Sequence, residues 1–438
     1  MAAPERERST LFGMSAIRKS FAVVAAVAIL ASTALPTAAA QESPGRTQLF
    51  DSGEAIAIDI NSAGMPVLLA GEWTYDESVS NYVMITYLVQ CAAVDCSGEP
   101  VITQMPSELY DNPRGAMLLD PSDRPLIATF DSSTGILELF DCDDPSCNAW
   151  RQTPLDLGVN SGPGPAGFES FEKSVVGFEY TADGGLQIMV NRSDSDKAVH
   201  VACAGVPCLD AQISEIEGAV TSMTLDPDGL PAYTIGTRLV RCGHPTCGVT
   251  SIGELPGPAV GVTFGASGLP LVLVSKLTAL DEEWPTQYHG LLLHCDDPIC
   301  ADEEQHAHRV ISSSQETSHR HSNRALSVHL GPNGLPTVGR YFNPGFDGDG
   351  QGNEYYEFHA ECVAVHCTAP TNASADAFFT GRSYSDYPTH FVTTSDNTPI
   401  VFSAAQAVYN YPGHRSVQVS ACTCLVPGGS GHGRLGSW

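Results

Sequence analysis

The chain has 438 residues, of which 42% are hydrophobic and 16% are charged, with 41 glycines, 30 prolines and 14 cysteines. This apolar fraction is ordinary for a globular protein and excludes disorder along the whole length. Acidic residues outnumber basic ones 50 to 21, which gives a net charge of −29. Such a charge argues against binding to nucleic acids and to anionic membrane surfaces, because both require clustered Lys and Arg side chains.

The N-terminal residues have the organisation of an export signal. Arg18 and Lys19 precede an apolar stretch over residues 21–35, and small residues of the kind that precede a cleavage site follow it. The stretch is short for a membrane span, and no later stretch is long and apolar enough to be one. We therefore expect a Sec-type signal peptide over residues 1–40 and a secreted protein that begins near Gln41.

Most of the cysteines recur in pairs with C-x4-C spacing. Each pair follows a short run in which apolar and polar residues alternate, which is typical of a β-strand with one buried face. The pairs are Cys91 and Cys96, Cys142 and Cys147, Cys203 and Cys208, Cys242 and Cys247, Cys295 and Cys300, and Cys362 and Cys367. A short turn between neighbouring strands can bring two cysteines to bonding distance, and export provides the oxidising compartment. We predict a disulfide in each pair; zinc would need four ligands that converge.

A second landmark lies upstream of each cysteine pair. It is a turn rich in Gly, Asp and Asn that ends, in six of seven units, in a proline, and the segments begin at residues 60, 119, 180, 225, 264, 330 and 393. Each follows an alternating run, and the turn residues supply the positive φ that a tight hairpin needs. One unit therefore reads strand, turn, strand, variable loop, strand, C-x4-C turn and strand.

Repetition of this unit predicts an all-β fold, a seven-bladed β-propeller with four antiparallel strands per blade. A β-sandwich or a β-helix is the alternative, but neither explains a repeated four-strand unit with hairpin turns. The seventh unit lacks its own fourth strand, and residues 46–53 resemble one, so we expect the N-terminal strand to close the ring. The predicted domains are the signal peptide over 1–40, the propeller over 41–424 and a Gly-rich tail over 425–438.

The paired G-L-P and C-x4-C landmarks over residues 46–424 resemble those of uncharacterised secreted bacterial β-propeller repeat proteins. The resemblance implies the propeller architecture and carries no established activity. Unit three, which has Leu186 in place of the proline, and the irregular pair Cys422 and Cys424 depart from the pattern.

Length variation indicates where recognition takes place. The turns after the first and third strands of each unit are short and share one side of the disc, which we call the turn face. The connections after the second and fourth strands vary in length and share the opposite side, the loop face. Loops on a rigid scaffold often carry recognition, so we expect the loop face of units five, six, seven and one to bind a partner.

The expected loop-face residues are aromatic and lie among acidic ones. They are Trp73, Tyr75, Trp284, Tyr288, Phe346, Tyr355, Tyr356, Tyr409 and Tyr411. Such side chains suit an extracellular glycan, peptide or protein partner, although the same aromatics could instead anchor long loops to the disc. We expect the protein to be a monomer.

One acidic, glycine-rich segment is a candidate calcium site. Oxygen-bearing side chains recur at every second position, at Asp347, Asp349, Gln351 and Asn353, as they do in a calcium-binding loop. The full twelve-residue pattern is absent, so a flexible acidic loop is the alternative. No cofactor is otherwise expected to be required.

Sequence signatures of enzymes are mostly absent. The chain has no G-x-S-x-G, no H-E-x-x-H, no P-loop and no G-x-G-x-x-G after a strand. The sequence therefore favours a non-catalytic binding or scaffold propeller. The alternative is a carbohydrate-active hydrolase, in which two or three carboxylates would converge within about 5–10 Å at the loop face.

Overall fold

A computed structural model of the chain describes residues 46–51, 53–77, 81–105, 115–131, 134–158, 175–192, 196–248, 250–278, 287–301, 307–312, 324–330, 336–342, 346–347, 351–352, 355–359, 378–379, 390–395, 399–406 and 415–421. All of them belong to the compact unit Pro44–Trp438. Every regular element within these ranges is a β-strand, and none of these residues forms a helix capable of crossing a membrane. The predicted signal peptide and the Gly-rich tail lie outside the described residues.

The alternating runs form strands because every second side chain can be buried against a neighbouring sheet. In chain order the strands are β1 Arg46–Phe50, β2 Gly53–Ile60, β3 Pro66–Asp76, β4 Asn81–Gln90, β5 Val101–Gln104, β6 Ala116–Leu119, β7 Pro125–Asp131, β8 Ile136–Cys142, β9 Trp150–Asp156, β10 Val175–Tyr180, β11 Leu186–Asn191, β12 Lys197–Cys203, β13 Gln212–Glu217, β14 Ser222–Leu225, β15 Pro231–Ile235, β16 Arg238–Cys242, β17 Thr250–Glu254, β18 Ala259–Phe264, β19 Pro270–Thr278, β20 Gln287–His294, β21 Ala307–Ser312, β22 Arg324–Leu330, β23 Pro336–Phe342, β24 Phe346–Asp347, β25 Gln351–Gly352, β26 Tyr355–His359, β27 Phe378–Phe379, β28 His390–Thr393, β29 Pro399–Gln406 and β30 Arg415–Ala421.

The strands of the described residues pair into seven four-stranded antiparallel sheets and one two-stranded hairpin. Sheets one to five each take four consecutive strands, β2–β5, β6–β9, β10–β13, β14–β17 and β18–β21. Sheet six has the order β22-β23-β26-β27, and the hairpin β24–β25 lies within its second connection. Sheet seven consists of β28, β29 and β30, and β1 is its fourth strand.

The pairing of β1 with β30 joins the two ends of the described chain. Arg46 lies opposite Ser420, Thr47 opposite Val419, and the ladder continues to Phe50. The last sheet thereby receives the fourth strand that its own unit lacks, and the edge of β30 is covered by backbone hydrogen bonds.

The first strands of the sheets, β2, β6, β10, β14, β18, β22 and β28, are the inner strands, and each contacts the next in this order. β28 in turn contacts β2. Hydrophobic clusters fill the junctions between sheets: Leu69 and Met84 of sheet one pack with Ile127 and Phe140 of sheet two. Similar clusters occupy the junctions two–three, three–four, four–five, five–six and seven–one. The described chain is therefore an all-β propeller whose core lies between face-to-face sheets.

The turns after the inner strands share one hydrogen-bond pattern. Asn61, Asp120 and Asp226 each accept hydrogen bonds from the backbone N–H groups two and four residues further on, at 2.8–3.1 Å. The fourth residue of the turn has a positive φ, 76° at Gly229 and 61° at Asp123. Gly, Asp and Asn recur in these turns because they tolerate this conformation and can satisfy the turn's own N–H groups.

Five of the six predicted disulfides are confirmed, one in each of sheets one to five. Their Cα–Cα distances are 4.7–5.2 Å, within the range that a disulfide needs. The bonded pairs are Cys91 with Cys96, Cys142 with Cys147, Cys203 with Cys208, Cys242 with Cys247, and Cys295 with Cys300. Several disulfides in one chain indicate an extracellular protein.

The disulfide turns differ in one backbone detail. The second cysteine has a positive φ of 53–58° in four of them, at Cys96, Cys147, Cys247 and Cys300. Cys208, the second cysteine of sheet three, does not share this conformation, although it is bonded to Cys203 at a Cα–Cα distance of 5.2 Å. The four other turns therefore repeat one conformation, and sheet three departs from it.

The sixth predicted disulfide, between Cys362 and Cys367, is not tested by the structure. Its two residues, Cys362 and Cys367, lie outside the described residues. A bond between Cys362 and Cys367 is therefore not among the confirmed ones and stays a prediction from the C-x4-C spacing.

Candidate functional site

The loop face of sheet one carries a hairpin that is longer than its counterparts. Strand β3 has 11 residues and β4 has 10, whereas β7, β11 and β15 have seven, six and five. Trp73 and Tyr75, which the sequence analysis assigned to a loop, lie on β3 opposite Met84 and Tyr82. That loop assignment is wrong for these two residues, because the ladder between β3 and β4 continues past them.

Trp73 and Tyr75 share one side of sheet one with Glu54. Residues two apart on a strand point to the same side, and so do residues directly opposite in an antiparallel ladder. Glu54 of β2 lies opposite Gly71, two residues before Trp73. Trp73 packs against the hydrophobic cluster between sheets one and two, so this side of sheet one faces sheet two.

Burial decreases along this row towards the solvent. Glu54 and Trp73 are half-buried, whereas Tyr75 is 52% exposed. Trp73 is therefore partly an anchor of the hairpin, and Tyr75 offers an open aromatic surface next to it.

Sheet two directs two carboxylates towards the same junction. On β7, Ile127 belongs to the cluster shared with sheet one, and Asp131 lies four residues later on the same side, at the end of the strand next to the loop face. Glu138 of β8 lies opposite Thr129 and shares that side. The Asp131 carboxylate accepts a hydrogen bond from the Thr134 hydroxyl at 2.7 Å, and the Glu138 carboxylate accepts one from the Gln152 amide at 2.9 Å.

Carboxylates of both sheets and an aromatic row thus lie on the sides of sheets one and two that face their junction. We call Glu54, Trp73, Tyr75 and Asp131 the junction site. The sequence analysis identified its two aromatic residues and missed Glu54 and Asp131. Nothing in the sequence distinguishes these two from the other acidic residues, and their sheets are separate repeats of the chain.

The inner strand next to the junction site contains a β-bulge. The register of β2 shifts at Ile56, two residues after Glu54, and the same shift recurs at Val176, Val260 and Leu326 in sheets three, five and six. A bulge increases the local twist and changes the direction of the residues before it. The repeat therefore sets the orientation of the inner strands at their loop-face ends.

The structure describes the backbone of some, but not all, of the other predicted binding residues. By their backbones, Tyr288 lies on β20, Phe346 on β24, and Tyr355 and Tyr356 on β26. These positions are strands too, so the loop assignment is corrected for them as well. Outside the described residues are Trp284, Tyr409 and Tyr411. A shared aromatic face of sheets five, six, seven and one therefore stays a prediction.

Parts of the candidate calcium segment form the paired strands β24 and β25, in which Asp347 lies directly opposite Gln351 in the ladder. Asp349 and Asn353 lie outside the described residues. Where the structure is described, no three His, Cys, Asp or Glu side chains are grouped to hold a metal ion. Calcium binding stays a prediction.

Two further carboxyl groups lie on inner strands near the turn face. Asp59 and Glu179 each occupy the next-to-last position of their strands, β2 and β10. The Asp59 carboxylate accepts a hydrogen bond from the backbone N–H of Leu119 at 2.9 Å, and Glu179 accepts one from that of Leu225 at 3.0 Å. Each carboxylate thus connects its inner strand to the inner strand of the next sheet.

Burial raises the pKa of both carboxyl groups. At Asp59 the N–H groups of Leu119 and Ile60 partly offset the rise, and at Glu179 the Thr224 hydroxyl and the Leu225 N–H do so. Both residues nevertheless remain half-buried and in contact with solvent. A sequence signal existed for these residues, since each is an acid within an otherwise mainly apolar run just before a turn.

No protein-family model and no curated protein sequence matches this chain. The resemblance to secreted bacterial repeat proteins is therefore not supported by any family match.

Solved structures with a similar fold include carbohydrate-active enzymes. The α-L-arabinanase of Penicillium chrysogenum, complexed with arabinobiose, is 11% identical with a TM-score of 0.43, covering 86% of this chain and 95% of that one. The GH93 α-L-arabinofuranosidase of Fusarium graminearum is 9% identical with a TM-score of 0.42, covering 86% and 97%. A protein described as a gluconolactonase is 11% identical with a TM-score of 0.31, covering 69% and 89%.

These comparisons correct one prediction. The sequence favoured a non-catalytic binding or scaffold protein, whereas the similar structures include enzymes, an α-L-arabinanase and α-L-arabinofuranosidases. At these identities and TM-scores the likeness transfers no residue and no substrate to this chain.

Proposed function

We propose that the chain is a secreted, seven-bladed β-propeller that hydrolyses glycosidic bonds at the junction site of sheets one and two. The observation that carries the proposal is the placement of Glu54 and Asp131 on facing sides of that junction, next to Trp73 and Tyr75.

The architecture supports this proposal in two ways. Seven four-stranded sheets with inner strands in cyclic contact, together with the pairing of β1 and β30, favour seven blades in one closed ring. The five disulfides and the signal-like residues 1–40 favour export.

The chemistry needs two carboxyl groups on opposite sides of a scissile bond. One acts as a general acid and protonates the leaving oxygen, and the other, as a base or a nucleophile, directs attack at the anomeric carbon. Glu54 and Asp131 come from different sheets, so a sugar bound between the sheets would have one carboxyl group on each side. Water is consumed, its hydroxyl ends on the anomeric carbon, and its proton replaces the one given to the leaving oxygen.

The aromatic row supplies the binding surface. Trp73 and Tyr75 offer apolar ring faces on which the C–H groups of a sugar ring can lie, while nearby carboxylates accept hydrogen bonds from its hydroxyls. Because Tyr75 is the more exposed of the two, we assign it to the outer part of the substrate.

The test is a substrate panel with matched variants. The purified protein is incubated with neutral, amino and acidic oligosaccharides, arabino-oligosaccharides included, and released reducing ends are quantified. We expect Glu54→Gln and Asp131→Asn to lower kcat by about 10²–10⁴-fold with unchanged melting temperatures. Glu72→Gln is the matched control, because Glu72 lies on the same hairpin but opposite Gly53, on the other side of sheet one.

Two results would contradict the proposal. One is the absence of reducing-end release from every member of the panel by the wild-type protein. The other is a wild-type rate for both Glu54→Gln and Asp131→Asn on a substrate that the wild-type protein cleaves.

A further inference from the structure

Sheet three has polar residues at two positions where the other sheets are aliphatic. Three residues before the first cysteine of the disulfide, the sheets one, two, four and five have Leu88, Leu139, Leu239 and Leu292, all buried. Sheet three has His200 there, and its side chain is fully buried. One residue after the start of the second strand, the same sheets have Val67, Leu126, Ala232 and Leu271, whereas sheet three has Gln187. The repeat therefore places an imidazole and an amide inside the core between sheets three and four.

The two polar side chains bind each other. The Nε2 atom of His200 on β12 lies 2.7 Å from Oε1 of Gln187 on β11. The Nδ1 atom of His200 is buried and has no hydrogen-bond partner among the described residues. A buried polar atom without a partner is costly, and it becomes more so when the ring gains a charge.

His200 and Gln187 belong to a row that crosses the whole sheet. Glu179 of β10 lies opposite Gln187, and Ser214 of β13 lies opposite His200, so all four share the side of sheet three that faces sheet four. At the inner end Glu179 accepts the N–H of Leu225, and at the outer end the Ser214 hydroxyl donates to a backbone carbonyl of sheet four at 3.1 Å. The row therefore connects the two sheets at both of its ends.

Few charged groups face this row from sheet four. Tyr233 of β15 is buried, and burial raises the pKa of its hydroxyl, so it is neutral over the physiological range. Arg238 of β16 and Glu254 of β17 lie opposite each other next to the loop face, and β14 presents no titratable group on this side. Glu179 is the one carboxyl group of sheet three on the same side as His200.

We propose that Glu179, Gln187, His200 and Ser214 form an acid-sensitive lock between sheets three and four, which holds while His200 is neutral and loosens when its imidazole is protonated. The neutral ring needs no counter-charge and is held by Gln187. The charged ring would place an N–H at Nδ1 with no acceptor, in surroundings formed by Met189, Met223 and other apolar side chains.

The lock requires that protonation of His200 destabilises the folded protein, and the pKa of His200 is shifted in the direction that gives this effect. Burial lowers the pKa of His200 to about 4, below its ordinary value of 6.5. The unfolded chain therefore takes up the proton at a higher pH than the folded one. The contribution of His200 to stability is therefore fully present above pH 6.5 and is lost as the pH decreases towards 4. The full loss corresponds to a decrease of up to about 300-fold in the equilibrium constant for folding.

Glu179 acts in the opposite direction. Because burial raises the pKa of its carboxyl group, its contribution to stability is complete in acid and decreases as the pH rises through that pKa. The effect of His200 must therefore be isolated by substitution.

The test compares melting temperatures from pH 4 to pH 8 for three forms of the full chain. The double variant Gln187→Leu/His200→Leu introduces the aliphatic pair of the other sheets. We expect its melting temperature to fall less between pH 6.5 and pH 4 than that of the wild-type protein. Thr234→Val, which makes a buried polar residue of β15 apolar without removing a titratable group, is the control and should keep the wild-type dependence. An equal pH dependence in the double variant would overturn the proposal.

A second measurement needs no variant. Hydrogen exchange at the imidazole C2 position, followed by mass spectrometry of the wild-type protein, reports the pKa of His200. A midpoint near 4 is the expected result, together with lower protection factors in β13 and β14 at pH 4.5 than at pH 7, each protection factor being the backbone exchange rate of an unstructured chain at that pH divided by the observed rate. A midpoint near 6.5 would overturn the proposal even if the double variant failed to fold.

Discussion

The two faces of the disc are built in different ways from the same repeat. On the turn face, sheets one, two and four end their inner strands in turns closed by Asn61, Asp120 and Asp226 in the same manner, and four disulfide turns share one backbone conformation. On the loop face, strand lengths differ from sheet to sheet, and β3 and β4 of sheet one form a longer hairpin than the second and third strands of sheets two, three and four.

The difference separates stability from recognition. The turn face repeats hydrogen bonds and covalent links that hold each sheet, and its connections are short. The loop face has the freedom to vary, because the core between the sheets is complete without it. Substitutions at the turn face should therefore lower the free energy of unfolding. Substitutions at the loop face should instead change the binding or turnover of substrate.

The largest loss of stability is expected at Asp226. Its side chain is fully buried and accepts the Nε–H of Arg241 at 2.7 Å as well as two backbone N–H groups. Asp226→Ala should lower the free energy of unfolding by about 3 kcal/mol, because it leaves Arg241 and the turn without an acceptor. Urea unfolding measures this. Asp228→Asn is the control, since Asp228 is 76% exposed and its ion pair with Arg241 should contribute about 0–1 kcal/mol.

Each disulfide turn should contribute less to the free energy of unfolding than Asp226 does. The double variant Cys142→Ala/Cys147→Ala should lose about 2 kcal/mol, since the closed loop is small and the gain in unfolded-state entropy is modest. The proposed activity on glycans should persist at temperatures where the variant is folded. A loss of activity without a loss of stability would place function on the turn face and break the comparison.

At the loop face, two neighbouring aromatics should respond differently. Tyr75→Ala should change the free energy of unfolding by about 0.5 kcal/mol or less and raise KM by roughly 5–150-fold. Trp73→Ala should affect both quantities, because Trp73 also packs on the core cluster of sheets one and two. Equal losses of stability in the two variants would mean that Tyr75 is a loop anchor.

The smallest effect concerns the inner strands. Glu179→Gln keeps an oxygen that can accept the Leu225 N–H and removes the carboxyl group whose pKa burial raises. The variant should melt at a higher temperature than the wild-type protein at pH values above the pKa of Glu179, where the wild-type carboxylate is ionised, and at nearly the same temperature at pH 4. A lower melting temperature of the variant throughout the range from pH 4 to pH 8 would show that the fold favours the charged form of Glu179.

Much of the fold could be predicted from the sequence because the repeat shows the same signals many times. Alternation before each C-x4-C pair predicted β4, β8, β12, β16 and β20, and the Gly/Asp turns predicted the ends of the inner strands. The extension of β3 and β4 could not be predicted, since residues 77–80 carry no Gly or Pro that would mark a tight hairpin. A long landmark-to-cysteine distance is compatible with a loop or with a longer ladder.

The candidate site was predictable only in its aromatic half. Trp73 and Tyr75 stand out as large aromatics in a variable segment. Glu54 and Asp131 do not stand out among 50 acidic residues, and only the packing of sheet one on sheet two brings them to one junction. His200 could have been found by aligning the repeats, because it replaces a leucine at a buried position.

The central claim is that substrate binds at the junction site on the loop face. Hydroxyl-radical footprinting with and without an excess of a bound oligosaccharide tests this directly, because the chain offers a matched pair of tryptophans. Trp73 lies at the junction site, and Trp150, which is 37% exposed, lies opposite Cys142 at the turn face. We predict protection of Trp73 and Tyr75 with no change at Trp150; protection of Trp150, with Trp73 and Tyr75 unchanged, would contradict the account.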